Sequence, residues 1–438
     1  MPRTTTPKAP ATDHPVLGRL PAGWKAVRLG DLFDFRNGYN TSKEHYGSGT
    51  PFVNVLEVIT HPSLRVEQII GKVNIPARAL EHNDVRYGDV LFNRTSEVPE
   101  EVGLACVYLS NDVVCFGGFV IRARPKTDRL DPDYLTYALR ATVIRKQIVA
   151  LGTGAIRSNI GQSDLVDVVM AVPPLPEQRR IARILGTWDK AIGLLGLQIA
   201  AKEERLRGLI DQLVSGKRHG AKGDKLPKGW RWVSLGEVFE FLSTTSHSRS
   251  QLIDDPEKGD VLYIHYGDIH ATYTTPRLDL DIEERVPRLL RGTTIPRSAD
   301  YLKDGDLIIA DASEDIEGVG ACVELHNVDG KQVISGLHTL ALRDTKGLTV
   351  QGYRGYVLRS HQVVKRIREV ATGSKVYGLS RTNLAKLKVP LPSPEEQRII
   401  GSCLNGAYDE LDILRTKLEH LHEQKRGLMQ RLLAGANS

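Results

Sequence analysis

Basic, amide and aromatic side chains occur in polar segments that follow short apolar, strand-like runs in both halves of the chain. Arginine and lysine bind phosphate and read guanine, while asparagine and glutamine read adenine. These segments are therefore candidates for contacting a nucleic acid, and the alternative for each residue is a solvated loop position. The candidates are Arg36, Asn37, Tyr39, Asn40, Lys43, Asn93, Arg94, Arg157 and Asn159 in the first half, and His247, Arg249, His265, Tyr266, Lys375, Tyr377 and Arg381 in the second.

Two of these candidates follow a Thr-Gly dipeptide that both halves share. Arg157 comes after Thr153-Gly154, and Lys375 comes after Thr372-Gly373. The turn is kept while the side chains after it change, which suits two related surfaces that read different sequences. We therefore expect Arg157 and Lys375 to contact DNA ahead of the other candidates.

Signatures of catalysis are missing or incomplete. The chain has no GxxxxGK[ST] phosphate-binding loop. The acid-x-Lys triplets at 344–346 and 423–425 lack the nearby Pro-Asp of nuclease sites, and the segment 172–175 lacks the flanking residues of a methyltransferase Pro-Pro motif. His265 and His270 lack the spacing of a helical zinc site. We predict no catalytic residue, metal or cofactor in this chain.

The composition predicts two domains in a reducing, cytoplasmic setting. The 438 residues are 41% hydrophobic, which is enough for two cores. The net charge of +6 permits a polyanionic partner without proving one. No apolar run is long enough for a signal peptide or a membrane span. The four cysteines lie far apart and are expected to be small core residues, namely Cys106, Cys115, Cys322 and Cys403.

The chain repeats itself. Leu-Pro-Ala-Gly-Trp at 20–24 returns as Leu-Pro-Lys-Gly-Trp at 226–230, an offset of 206 residues. The offset is 217 at Gly88-Asp89 and Gly305-Asp306, and 219 from Thr153 onward. Each copy begins with short apolar runs separated by Gly- and Asn-rich turns, which is typical of a mixed α/β globule with a curled sheet.

Each copy ends in a long predicted helix. Prolines at 173–176 and 390–394 block strand continuation and favour the first helical turn. Apolar residues then step by four and three over more than four heptads, which indicates a coiled-coil seam. Glycines follow the two helices, at Gly216 and Gly435. The seam includes Ile192, Leu195, Ile199, Leu206, Leu411, Leu414, Leu418 and Leu421.

The seam favours an antiparallel pair of helices over a parallel one. When the helix centres are aligned antiparallel, every layer joins an a-type to a d-type position. The two lysines in the seam then face apolar partners, Lys202 against Leu411 and Lys425 against Trp188, where their aliphatic stems cover apolar surface. This arrangement would place the two globules at opposite ends of the helices.

The predicted fold class is α+β, with two similar α/β domains joined by two long helices in an antiparallel coiled coil and related by a pseudo-two-fold internal repeat. The predicted segments are a disordered tail at 1–19, a first domain at 20–175, a central spacer helix at 176–217, a linker at 218–225, a second domain at 226–392 and a C-terminal spacer helix at 393–435.

The chain resembles the specificity subunits of type I restriction-modification systems. The residues that carry the resemblance are the Leu-Pro-x-Gly-Trp units, the prolines that run into Glu-Gln-Arg at 173–180 and 390–398, and the helix ends at 207–217 and 425–435. The resemblance covers essentially everything after residue 19. The duplicated order of domain, helix, domain, helix is more specific than any one motif.

The resemblance implies a non-catalytic subunit in which each globule is a target-recognition domain for one half of a bipartite DNA site. The implied partners are double-stranded DNA, two modification (methyltransferase) subunits and two restriction (ATP-dependent translocase and nuclease) subunits, with no membrane. S-adenosylmethionine, ATP and Mg²⁺ would be bound by those partners. Two alternatives remain open: a specificity subunit for a fused methyltransferase-nuclease, or a coiled-coil adaptor that binds no DNA.

Overall fold

The computed structural model describes residues 12–154, 157–217, 225–273 and 275–434. The chain divides into two compact units. The first unit joins the residues up to Leu195 with those from Lys417 onward, and the second unit is Gly196–Thr416. Each unit therefore contains one globule and a part of both long helices. Most of the expected linker, residues 218–224, lies outside the described residues.

The tail at 1–19, predicted to be disordered, is ordered at residues 12–19 in the structure. Thr12–His14 pairs antiparallel with Gly18–Leu20, so residues 12–20 form a short hairpin. Gly18 supplies the left-handed turn conformation at φ +68°, and Leu20 is buried. A glycine turn and one buried leucine hold a segment whose composition favours disorder. Residues 1–11 lie outside the described residues.

The first globule contains two main sheets. The five-stranded sheet has Val90–Asn93 at its centre, and its last pair is parallel. Its strands in spatial order are Phe33–Asn37, Val120–Pro125, Val90–Asn93, Ala105–Tyr108 and Ser63–Leu64. The strands of the four-stranded sheet are, in spatial order, Lys72–Val73, Tyr46–Val53, Val114–Phe116 and Asp84–Val85. Two further strand pairs are Lys25–Arg28 with Val169–Val172 and Thr95–Ser96 with Ser158–Asn159. The helices of this globule are Leu29–Leu32, Val55–Thr60, Ala77–Asn83, Pro132–Ala138, Thr142–Leu151 and Gln162–Val166.

The second globule repeats this plan around Leu307–Ala310. The strands of its five-stranded sheet are, in spatial order, Glu240–Phe241, Thr339–Arg343, Leu307–Ala310, Cys322–His326 and Arg277–Asp279. The strands of its four-stranded sheet are Leu252–Ile253, Arg288–Leu289, Val261–Ile264 and Gln332–Ser335. Two further strand pairs are Arg231–Ser234 with Lys388–Leu391 and Ala312–Ser313 with Tyr377–Gly378. Its helices are Leu235–Val238, Tyr266–Ala271, His361–Val370 and Arg381–Lys386. The repeated strand order of the five-stranded sheet confirms two similar α/β domains.

The repeated Gly-Asp dipeptide closes the same turn in both globules. Gly88 and Gly305 have φ values of +87° and +77°, which glycine adopts without strain. The following carboxylate is buried and pairs with an arginine of the neighbouring strand. The Asp89–Arg124 pair has an N–O distance of 2.7 Å, and the Asp306–Arg343 pair one of 2.6 Å.

The Glu-Gln-Arg motif fastens each long helix to its globule through a buried glutamine. Gln178 accepts a hydrogen bond from the Asp131 amide at 2.9 Å and donates to the carbonyls of Arg129 and Pro173. Gln397 makes the equivalent bonds: it accepts from the Val350 amide at 2.8 Å and donates to the carbonyls of Leu348 and Pro392. Both side chains are 1% exposed or less, so the motif is a structural junction.

The Leu-Pro-x-Gly-Trp unit of the second globule belongs to the same junction. The Trp230 indole N–H donates to the Glu396 carboxylate at 2.9 Å. A Cβ on Gly216, which follows the central helix at φ +73°, would lie 2.7 Å from Pro227. Two motifs far apart in sequence are therefore parts of one packed joint.

The long helices span Leu175–Val214 and Pro394–Leu433, with 40 residues each; we call them the central helix and the C-terminal helix. In the first unit, Lys425 pairs with Asp189 and lies over the Tyr137 ring at 5.4 Å. The core of this unit combines Ile181 near the start of the central helix with Leu433 at the end of the C-terminal helix. The two helices therefore run antiparallel in this unit, as predicted.

The second unit shows the same direction. Lys202 pairs with Glu410 at 2.7 Å, and Glu203 pairs with Arg415 at 2.6 Å. Glu410 is the neighbour of Leu411, the residue that the antiparallel register places opposite Lys202. Among the expected seam residues, four are buried and four are partly buried: Leu195, Ile199, Leu206 and Leu411 in the first group, and Ile192, Leu414, Leu418 and Leu421 in the second.

The cysteines are free thiols, and three of them are core residues as expected. Burial raises the pKa of both Cys106 and Cys115 to about 12. Cys403 corrects the expectation, because it is exposed. It lies between the buried positions Ile400 and Leu404, on a side of the C-terminal helix that faces solvent. Among the helices in the described ranges, none has the length and hydropathy to cross a membrane.

Candidate nucleic-acid interface

Three loops meet at one end of the first unit's five-stranded sheet. Arg94 directly follows the buried strand Val90–Asn93, and its amide donates to the Phe119 carbonyl at 2.8 Å. Thr95–Ser96 pairs with Ser158–Asn159, which brings Arg157 to the same place. Arg157 is exposed and pairs with Glu97 at 2.8 Å.

The loop that follows the edge strand joins this group. Tyr39 pairs with Gly117 in an isolated bridge, and the Asn40 side chain packs against Gly118 so closely that a Cβ there would lie 2.0 Å from it. We call Asn40, Arg94, Glu97, Phe119 and Arg157 the first loop cluster. Glu97 and Phe119 are not among the residues predicted from the sequence.

Two candidates of the first unit have structural roles. Asn93 is fully buried, accepts from the Leu104 amide at 2.6 Å and donates to the Thr95 carbonyl. Asn159 is exposed and donates to the Arg157 carbonyl at 2.9 Å, which shapes the turn after Thr153. Both amides hydrogen-bond to backbone groups of the loops, and their contact with DNA stays a prediction.

The other first-unit candidates lie on the surface nearby. Arg36 is exposed and donates to the His82 carbonyl at 2.9 Å. Asn37 is exposed at the end of its strand, and Tyr39 is partly buried. Lys43 is exposed at the start of the 3₁₀ turn Lys43–His45.

The second unit builds an equivalent group from different side chains. Asp311 follows the buried strand Leu307–Ala310, and its amide donates to the His338 carbonyl at 3.0 Å. The Tyr266 ring has three imidazole neighbours, with ring centroids 4.6 Å from His265, 5.3 Å from His338 and 6.3 Å from His270. We call His265, Tyr266, His270, Asp311 and His338 the second loop cluster.

Hydrogen bonds and charge hold this second cluster in place. His270 Nε2 lies 3.0 Å from the Ala312 carbonyl, and His338 Nδ1 lies 3.4 Å from the Asp311 carboxylate. His265 accepts from the Gly267 amide and caps the helix Tyr266–Ala271. Burial lowers the pKa of His265, and burial raises the pKa of Asp311. At neutral pH the His265 imidazole is therefore a neutral hydrogen-bonding ring.

The remaining second-unit candidates are divided between surface and interior. Arg249 is exposed at the start of the 3₁₀ turn Arg249–Gln251, the counterpart of Lys43, and lies 4.0 Å from the Asp268 carboxylate. Lys375 is exposed and Tyr377 is partly buried. His247 is buried against the Tyr263 ring, and burial lowers its pKa. Arg381 is exposed, stacks on Phe241 at 5.0 Å and donates to its carbonyl.

Once one residue of an equivalent pair in the two loop clusters is known, the repeat offset gives its counterpart in the other unit. Phe119 and His338 are 219 positions apart, and Arg94 and Asp311 are 217 apart, the same offsets that align the glycine motifs. Composition alone could not select them, because an exposed phenylalanine or an aspartate beside a strand is common on any surface.

The partial catalytic motifs have structural explanations. The Asp344 carboxylate accepts from the amides of Lys346 and Thr349, which makes the acid-x-Lys triplet a turn. Lys425 of the other triplet belongs to the helix pair. The Pro174 carbonyl accepts from the Glu177 amide at the start of the central helix. Within the part of the chain that the structure describes, no group of three His, Cys, Asp or Glu side chains could hold a metal ion.

Known proteins resemble the chain over nearly its whole length. A family model described as the type I restriction modification DNA specificity domain matches residues 21–202 and again residues 227–423. The type I restriction enzyme MjaVIII specificity subunit of Methanocaldococcus jannaschii is 22% identical over 428 residues, which cover 95% of this chain and 93% of that protein.

Two solved structures share the fold. The type I restriction-modification system S subunit from M. genitalium has a TM-score of 0.52 at 17% identity, covering 94% of this chain and 96% of that one. A chain from a study of complex assembly and conformational transition of the type I R-M system has a TM-score of 0.59 at 17% identity, covering 94% and 98%.

Proposed function

This chain belongs to the type I restriction modification DNA specificity family, and on that basis we propose that each of its two units reads one half of a bipartite, asymmetric DNA site. As the DNA specificity subunit of a type I restriction-modification system it is non-catalytic, carries no cofactor itself and is part of a larger complex.

One observation carries the proposal: the two loop clusters share a backbone framework and differ in side chains. The amide-to-carbonyl bond after the central strand occurs in both units, and so does the small strand pair beside it. A common framework with different side chains is what two readers of different half-sites require. Phosphate contacts position such a reader, and the exposed cations suited to them are Lys43, Arg157, Arg249 and Lys375.

We propose two modification subunits and two restriction subunits as the partners in the complex. The repeat offers a similar surface twice, which suits a pair of identical partners. Methylation with S-adenosylmethionine and ATP- and Mg²⁺-dependent cleavage would belong to those partners. A DNA substrate and free thiols fit a cytoplasmic location.

The test is a segment exchange in the assembled complex. Residues 20–175, the proposed first target-recognition domain, are replaced by the same segment of a specificity subunit with a different target. Methylome sequencing of cells carrying the hybrid should show one changed half-site, with the other half-site and the spacing intact. The matched control exchanges residues 226–392, and it should change the other half-site. A hybrid that alters both half-sites would contradict independent reading.

A further inference from the structure

Arg94 and Asp311 occupy the same position in the two units. Each is the first residue after the fully buried central strand of its five-stranded sheet, Val90–Asn93 or Leu307–Ala310. Each donates a hydrogen bond from its backbone amide to the carbonyl of the residue just before the neighbouring strand, Arg94 to Phe119 and Asp311 to His338. Each is followed by the two-residue strand that pairs with the segment after the Thr-Gly turn. The same scaffold position therefore carries a positive charge in the first unit and a negative charge in the second.

The ring residue beside each charge is also fixed by its surroundings. Phe119 follows Gly118, which is packed against the Asn40 side chain, and Phe119 itself is 61% exposed. His338 lies two residues after Gly336, where a Cβ would be 2.4 Å from the Tyr263 ring. His338 itself has φ +55°, an uncommon conformation for a residue other than glycine. Neither backbone can shift easily, so the scaffold fixes the point from which each side chain extends.

The two pairs have complementary chemistry toward base edges. A guanidinium is a fork of donors that matches O6 and N7 of guanine, whereas a carboxylate only accepts and matches the exocyclic amino group of cytosine or adenine. A carboxylate on a DNA-facing surface is repelled by phosphate, so it weakens binding unless a base amino group donates to it. Asp311 retains 27% side-chain exposure next to the second unit's ring cluster, which leaves room for such a donor.

We propose that Arg94 with Phe119 and Asp311 with His338 are matched specificity determinants, in which Arg94 selects a guanine in one half-site and Asp311 selects an amino-bearing base, cytosine or adenine, in the other. This inference rests on the proposed function, because it assumes that the loop clusters face the half-sites. Arg94 and Asp311 touch the bases. The His338 imidazole, 3.4 Å from the Asp311 carboxylate, is a positioning residue.

The experiment measures base preference with the complete complex of specificity and partner subunits. The wild-type motif is read first by methylome sequencing, and variants are then compared on duplexes in which each position of both half-sites is varied singly. Arg94→Gln should weaken discrimination at one position of one half-site by roughly 5- to 150-fold, the range of one bidentate base contact. Asp311→Asn should do the same at one position of the other half-site.

Moving the residue pair of one unit into the other is a stricter test than the single substitutions. Asp311→Arg with His338→Phe installs the first unit's pair in the second unit, and the preferred base at the affected position should become guanine. His338→Gln, which keeps a hydrogen-bond donor, should retain more discrimination at that position than His338→Phe alone. A merely structural role of His338 would lower the melting temperature in both single variants and leave base preference unchanged.

Matched controls are Arg78→Gln and Asp329→Asn, which alter exposed charges elsewhere in the same units and should leave every position unchanged. An unchanged motif in Arg94→Gln and in Asp311→Asn would overturn the inference, and so would an equal loss of binding to all sequences, since a phosphate contact behaves that way. If the segment exchange still moves one half-site while these point variants do not, the division of reading stands and only the assignment of the pairs is wrong.

Discussion

At the scale of single residues, the two buried glutamines show how a short motif can hold a helix to a globule. Gln178→Leu leaves the Asp131 amide and the Arg129 carbonyl without partners in a dry environment. We expect the free energy of unfolding of the first unit to fall by about 1–3 kcal/mol for each group left unpaired. Urea denaturation measures this loss. Gln212→Leu, an exposed glutamine on the same helix, is the control and should change stability little. Equal effects of the two variants would contradict the assigned role.

Glu324 gives the second unit a pH-sensitive core. Its carboxyl group accepts hydrogen bonds from the backbone amides of Gly352 and Gly355 and is almost fully buried. Burial raises the pKa of Glu324 to about 7. The folded state then holds this proton more tightly than the unfolded state, so the free energy of unfolding falls as pH rises from about 5 to about 7. Glu324→Gln should remove this part of the pH dependence.

Hydrogen exchange of second-unit amides, compared at pH 5 and pH 8 after correction for intrinsic rates, measures the effect of Glu324→Gln. Glu284→Gln alters an exposed carboxylate and should keep the wild-type pH dependence. A Glu324→Gln protein whose stability still falls between pH 5 and 7 by the wild-type amount would show that another group is responsible.

At the scale of elements, replacing glycine by alanine should have opposite effects on stability in the turns and in the long helices. Gly154 has φ +130°, and a Cβ there would lie 2.1 Å from the Arg157 carbonyl oxygen. Gly154→Ala should therefore displace the strand pair beside Arg94, at a cost of about 1–3 kcal/mol, and weaken reading of one half-site. Gly208 lies in the central helix with open space around it, and Gly208→Ala should stabilise the protein by about 0.5–1 kcal/mol.

Urea denaturation together with DNA-binding measurements on the assembled complex separates these two effects. A Gly154→Ala variant with unaltered stability and unaltered base discrimination would show that the turn does not position the first loop cluster. A destabilised Gly208→Ala protein would show that the helix surface there is not open in solution.

At the scale of the whole molecule, the end of the chain completes a unit that begins at the other terminus. Leu433 is part of the first unit's core with Ile181 and Leu185, and Leu428, Met429 and Leu432 pack against it. A chain that ends at Thr416 should therefore lose protection from hydrogen exchange throughout the first unit's core, although no residue of its globule is removed. Second-unit amides should keep their protection. Loss of protection only near the cut would contradict this division of the core.

The repeat and the helix pair could be predicted from the sequence because their signals are local and periodic. Four-three spacing defines a helix face wherever the helix packs, and the positions of Lys202 and Lys425 in that face select the antiparallel register. The ion pairs of both lysines lie one residue from the predicted layers. Motif spacing likewise located the Thr-Gly turns and the start of each long helix.

Tertiary structure decided which of the polar loop residues are available to a ligand. Asn93 and Arg94 are neighbours in sequence with similar prospects as DNA contacts, yet Asn93 is buried and accepts a hydrogen bond from the Leu104 amide, whereas Arg94 is exposed. Phe119 and His338 became candidates only because a backbone hydrogen bond joins them to residues more than twenty positions earlier. Long-range pairing between strands sets these contacts, and the sequence holds no local period that records them.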